Sequence, residues 1–177
     1  MSILNVARMG HPVLRGRAQP VEPAVITTAA FQKLIDDMFE TVDGYDGIGL
    51  AAPQVHESVR LVLVGINDRR GDENGSSLRV IPLINPEIKT VGREVGEDWE
   101  GCLSLPGLRG RVTRPNEVKV TALDRDGRRF ELLLHGYNAR VVQHETDHLD
   151  GVLFVDRMKS FETLTFLEEY ARFWKKD

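Results

Sequence analysis

Cysteine occurs once in the 177 residues. A lone cysteine cannot close an internal disulfide, which excludes a stapled secreted scaffold and makes a reducing compartment the expectation. A basic excess is missing as well: 23 Lys and Arg stand against 27 Asp and Glu, a net charge of −4. Nucleic-acid and anionic-membrane binders usually carry the opposite balance, so neither DNA nor a membrane is an expected partner. No apolar run approaches the roughly 20 residues of a membrane span. Residues 1–15 hold no apolar core of signal-peptide length, but they do hold Arg8, His11 and Pro12. The expected location is therefore cytoplasmic. Repeats of fixed period, low-complexity tracts and the G-x-x-x-x-G-K-[ST] phosphate loop are also lacking. What is present is a hydrophobic fraction of 41%. That supports one core, and a single domain is expected over residues 1–177.

Apolar residues Phe31, Leu34, Ile35, Met38, Phe39 and Val42 recur at spacings of three and four. They predict a helix capped by Thr27 or Thr28 and ended by Asp43-Gly44. Strands are expected over residues 59–66, 78–84, 86–91, 93–96, 109–113, 117–123 and 128–134. Asp126-Gly127 is a hairpin signal between the last two. Residues 67–77 read as a polar hairpin tip. Residues 136–149 read as a helix stopped by Asp150-Gly151, residues 152–155 as a short extended piece, and residues 160–176 as a final helix. Strands in runs, not alternating with helices, point to an α+β fold with antiparallel sheets.

The chemistry concentrates in His144-Glu145-Thr146-Asp147-His148, an H-E-x-x-H pattern on the predicted helix. Residues four apart share a helix face, so the two imidazoles can hold one metal with Glu145 beside it as a general base. Catalytic sites of this kind take three protein ligands and keep one position open. No His follows His148; Glu162, Glu168 and Glu169 follow it on the predicted final helix, and Cys102 is the other candidate. A thiolate suits Zn²⁺ or Fe²⁺. The run Gly47-Ile48-Gly49-Leu50-Ala51-Ala52 fails as a dinucleotide fingerprint. Ala52 stands at the third glycine, and the run follows a helix and precedes a strand. Its small residues imply close backbone approach, and Gln54 ends it with a side-chain amide.

Three segments together resemble the peptide deformylase family: Gly47-Ile48-Gly49-Leu50-Ala51-Ala52-Pro53-Gln54, Glu100-Gly101-Cys102-Leu103-Ser104 and Gln143-His144-Glu145-Thr146-Asp147-His148. They match the family patterns G-x-G-x-A-A-x-Q, E-G-C-x-S and Q-H-E-x-D-H in order. The resemblance implies antiparallel sheets packed around a central metal-binding helix, with an N-terminal and a C-terminal helix. It implies removal of the formyl group from N-formylmethionyl nascent peptides, with release of formate. Carried over, the metal ligands fall on Cys102, His144 and His148, the general base on Glu145, and the oxyanion donors on Gln54 and the Leu103 N–H. A Glu100–Arg114 pair is implied behind the site and a substrate-facing role for Arg109. The family holds Fe²⁺ in the cell, and Zn²⁺, Ni²⁺ or Co²⁺ can replace it; ligand type alone favours Zn²⁺.

Helical spacing before His144 adds Val141 and Tyr137 as walls of the methionine pocket, with Ile48 opposite and Gly49 as a backbone partner for an extended peptide. The run Tyr137-Asn138-Ala139-Arg140 resembles the organellar subgroup and its bacterial relatives, and places Arg140 at the expected pocket edge. Arg172, Lys175 and Lys176 make the C-terminal helix a candidate ribosome contact. Three readings compete with the deformylase: a zincin endopeptidase with a downstream Glu ligand, a Cys102 nucleophile paired with a His, and a closed structural-metal module using Asp147 or Glu145 as fourth ligand.

Overall fold

The computed structural model describes residues 2–68 and 77–175. The expected hairpin tip over residues 67–77, and Lys176, lie largely or wholly outside them. Five antiparallel strands form the larger sheet in the order β1 (Gly49–Ala51), β2 (Leu61–Asp68), β3 (Ser77–Thr90), β6 (Glu117–Leu123) and β7 (Arg129–His135). A smaller sheet holds β4 (Val95–Cys102), β5 (Leu105–Pro115) and β8 (Thr165–Phe166). Among the described residues, four α-helices complete the fold: the one-turn α1 (Pro23–Ile26), α2 (Ala29–Gly44), α3 (Gly136–Leu149) and the short α4 (Leu167–Phe173).

In β2 the run Leu61-Val62-Leu63-Val64 is apolar throughout because both faces of the sheet are covered. Side chains alternate along a strand. Leu61 and Leu63 therefore join Phe31, Ile35, Met38 and Val42 of α2. Val62 and Val64 join Ala139, Val142 and Leu149 of α3, together with Val118 and Val120 of β6. Each fully buried side chain of this size contributes about 1.5–3 kcal/mol. Thr28 caps α2, its hydroxyl accepting the Phe31 N–H at 3.4 Å. Gly151, at φ +73°, follows the C-terminus of α3 in a conformation that suits glycine.

The fold class is α+β, with α3 packed on the larger sheet and in contact with the smaller one through β5. Several expected elements differ in extent. Residues 78–84 and 86–91 are one strand, β3, carrying a bulge between Ile84 and Glu87. The strand expected over 93–96 runs on to Cys102, and its partner extends over Leu105–Pro115. Residues 154–157 form a 3-10 turn where an extended piece was expected. The final helix does not begin at Ser160. A 3-10 turn (Phe161–Thr163) and β8 precede α4, and β8 pairs with β5. The apolar residues of that stretch satisfy a helical period, but a free edge on β5 offered them strand pairing.

Candidate metal centre

The β4–β5 hairpin presents one candidate metal ligand, Cys102, to α3. Register shifts between Glu100, which pairs with Gly110, and Cys102, which pairs with Leu105. Such irregularities re-aim side chains. Cys102 Sγ then lies 3.3 Å from His148 Nε2. The ligand atoms of Cys102, His144 and His148 all lie within 4.8 Å of one another. Two imidazoles and a thiolate form a donor set for Zn²⁺ or Fe²⁺. Burial pushes the Cys102 thiol up, but the flanking His148 and His144 outweigh it and hold the thiol well below its ordinary value.

Glu100 orients His144. Its carboxylate contacts His144 Nδ1 at 2.8 Å. It also accepts Arg114 Nε at 2.6 Å, Arg114 Nη2 at 2.9 Å and Arg140 Nη1 at 2.7 Å. A carboxylate on one ring nitrogen fixes the tautomer and leaves Nε2 as the nitrogen that could meet a metal. Burial raises the Glu100 carboxyl, but Arg114 and His144 prevail and hold it far below the usual range.

Glu145 is buried and its Oε2 has no hydrogen-bond partner among the described residues. Burial pushes its carboxyl up to about 7 against the pull of His144 and His148. An unpaired buried carboxylate needs a partner, and this one stands beside three donors of a kind that could hold a metal. Gln54 is fixed from the other side. Its Oε1 accepts the Ala51 N–H at 2.8 Å, which leaves Nε2 directed at Cys102 Sγ (3.4 Å) and Ser104 Oγ (3.1 Å). Leu103 occupies the turn between Cys102 and Leu105.

Cys102, His144, Glu145 and Gln54 open onto a cleft of about 510 Å³ that is also lined by Ile48, Gly49, Leu103, Arg109, Tyr137 and Val141. β1 is an edge strand of its sheet, so one side of its backbone faces away from β2. The model of the Polypeptide deformylase family matches residues 3–163.

The chain belongs to the peptide deformylase family.

Its relatives agree over nearly full length. The peptide deformylase of Leptospira biflexa is 41% identical over 172 residues, spanning 96% of this chain and 95% of that protein. That of Pseudomonas aeruginosa is 43% identical over 162 residues, spanning 92% and 90%. A Met-Ala-Ser-bound class I type b peptide deformylase from Acinetobacter baumannii shares the fold with a TM-score of 0.81 at 38% identity, covering 89% of this chain and 100% of that one.

Within this deformylase fold, Arg140 does more than line the cleft edge. It is buried, and donates to Glu100, to the Val112 carbonyl at 2.9 Å and to the Gly96 carbonyl at 2.8 Å. It thereby ties α3 to both strands of the hairpin. Its spacing of four from His144 was the signal that the two share a helix face. The sequence offers Asp147 only as the fourth ligand of a closed metal site. Its carboxylate instead takes Arg114 Nη1 at 2.8 Å and Arg157 Nη2 at 2.7 Å. Glu162, Glu168 and Glu169 are exposed and stand outside the cluster of ligand atoms. Trp99 and Leu167 also line the cleft without any motif that marks them for it, and Ser104, the last residue of the E-G-C-x-S pattern, accepts the Gln54 amide.

Proposed function

We propose that this chain removes the formyl group from N-formylmethionyl peptides at the Cys102–His144–His148 site, within one catalytic domain over residues 1–177. Family membership carries the activity: hydrolytic removal of the N-formyl group from newly made polypeptides. The observation that supports this site is the buried, unpartnered Glu145 carboxylate next to three clustered metal-type donors.

Cys102, His144 and His148 would hold one divalent ion, Fe²⁺ in the cell, with Zn²⁺, Ni²⁺ or Co²⁺ as substitutes. When bound, that ion would supply Lewis acidity toward the formyl group. Glu145 takes a proton from the attacking water and returns it to the leaving amine, so formate and a free N-terminus are produced. Charge developing on the formyl oxygen meets the Gln54 amide and the Leu103 N–H. One such donor is typically worth about 2.7–4 kcal/mol. Gln54 is preorganised for this task by its bond to Ala51. The peptide adds to the free edge of β1 at Gly49 as an extra strand. Its methionine enters between Ile48, Tyr137 and Val141, and Arg109 faces the residues beyond. The Met-Ala-Ser peptide bound by the Acinetobacter baumannii relative is consistent with such a substrate.

Nascent chains in the cytoplasm are the proposed substrates. No helix among the described residues is long and apolar enough to cross a membrane. Docking on the ribosome through residues 160–177 stands as a proposal resting on Arg172 and Lys175 at the end of the short α4. Formate release from formyl-Met-Ala-Ser, with acetyl-Met-Ala-Ser untouched and an unformylated protein left intact, is the expected assay result. Cleavage of internal peptide bonds without formate release would replace this reading with the endopeptidase.

A further inference from the structure

The C-terminal segment lies against the mouth of the cleft, where no motif placed it. β8 pairs with β5 in a fixed register, Thr165 opposite Arg109 and Phe166 opposite Leu108. This pairing delivers the next residue, Leu167, to the cleft lining, alongside Trp99 of β4. A helix as short as α4 is marginal by itself. Aromatic packing holds it here: Tyr170 and Trp174 meet the Trp99 ring with centroids 4.9 and 5.5 Å away. Leu167 is nevertheless 42% exposed, so its side chain is positioned yet left uncovered.

A cleft of about 510 Å³ has room for more than a formyl-methionyl group. We propose that Leu167 and Trp99 form an apolar subsite for a substrate side chain downstream of the methionine. Formyl-Met peptides with an aromatic or aliphatic residue there are then preferred over those with a small polar one. Leu167 and Trp99 would touch that side chain, whereas Tyr170 and Trp174 act as positioning residues through Trp99. This inference rests on the deformylase reading and adds a specificity to it.

The test compares formate release from formyl-Met-Ala-Phe, formyl-Met-Phe-Ala and formyl-Met-Ala-Ser, alongside calorimetric binding of the corresponding deformylated peptides. Wild-type protein should favour a Phe-containing peptide in kcat/KM. Leu167→Ser should reduce that preference about fivefold, through KM more than kcat, with a matching loss in binding of the deformylated Phe peptide. Leu167→Met should restore the preference, which a purely structural role for α4 would not require. A preference absent from the wild type, or unaltered in Leu167→Ser, overturns the subsite while formate release leaves the deformylase reading standing. No formate from any formyl peptide would overturn both.

Discussion

At Gly49 the backbone passes so close to Glu145 that a side chain has no room. A Cβ there would lie 2.7 Å from Glu145 Cδ and Cγ, and closer still to Oε1. Gly49→Ala must move either the strand or the carboxylate. Displacements of this size typically cost up to about a hundredfold in rate. The expected result is a fall of about ten- to a hundredfold in kcat on formyl-Met-Ala-Ser; wild-type kcat would show that the carboxylate position is not critical. Glu145→Gln removes the proton acceptor without changing shape. It should retain metal and lose at least about a hundredfold in kcat, within the range for general-base catalysis. Metal content by mass spectrometry and turnover by formate release check the two halves separately. At this scale the sequence was most readable where spacing is local. His144, Glu145 and His148 stand on one helical turn, so periodicity alone placed them together. Arg140 was harder to read, because its partners Glu100, Val112 and Gly96 come from distant strands.

Among the elements, α3 and the β4–β5 hairpin matter most, since one carries two candidate ligands and the other carries the third. Arg140 bridges them. Replacing it with Met removes one donor from buried Glu100 and leaves the Val112 and Gly96 carbonyls without it. Breaking a buried charged network in this way typically costs about 3–5 kcal/mol. Urea unfolding of Arg140→Met should show a loss of roughly 3 kcal/mol; a loss under about 1 kcal/mol would mean Arg114 alone secures Glu100. The bounds of α2 and α3 were readable from caps, stripes and terminal glycines. The reach of β4 was not, because Glu97, Asp98 and Gly101 are weak strand formers and only pairing with β5 makes that stretch extended. The C-terminal segment misled for the converse reason. Its helical period is real in Leu167, Tyr170 and Trp174, yet pairing with β5 overrides it at Thr165 and Phe166.

For the whole molecule, two sheets must stay registered on α3, and ties between chain ends contribute to this. Arg15 pairs with Asp156, joining the 3-10 turn at Pro12–Arg15 to the one at Phe154–Arg157. Burial raises the Asp156 carboxyl, but the bonds from Arg15 and the Leu153 N–H together with the Arg15 and Arg157 charges outweigh it and lower the carboxyl. A carboxyl lowered on folding adds stability that is complete above its unfolded value and disappears as pH falls through the folded one. Asp156→Asn should therefore melt below wild type at neutral pH, and the gap should close on acidification below about pH 4. A gap that is constant with pH would deny the ion pair any part in it. The antiparallel α+β class was readable at this scale because strands came in runs. The division into two sheets was not, since it depends on which hairpins meet in space.

The most direct measurement combines metal content with formate release on anaerobically purified protein, before and after chelation and again after Fe²⁺ is returned. Activity on formyl-Met-Ala-Ser should follow one bound divalent ion per chain, vanish with the chelator and recover with Fe²⁺, while Cys102→Ser lowers metal content and activity together. Formate release that survives complete metal removal, or Cys102→Ser protein with normal metal content and activity, would contradict a catalytic centre built from Cys102, His144 and His148.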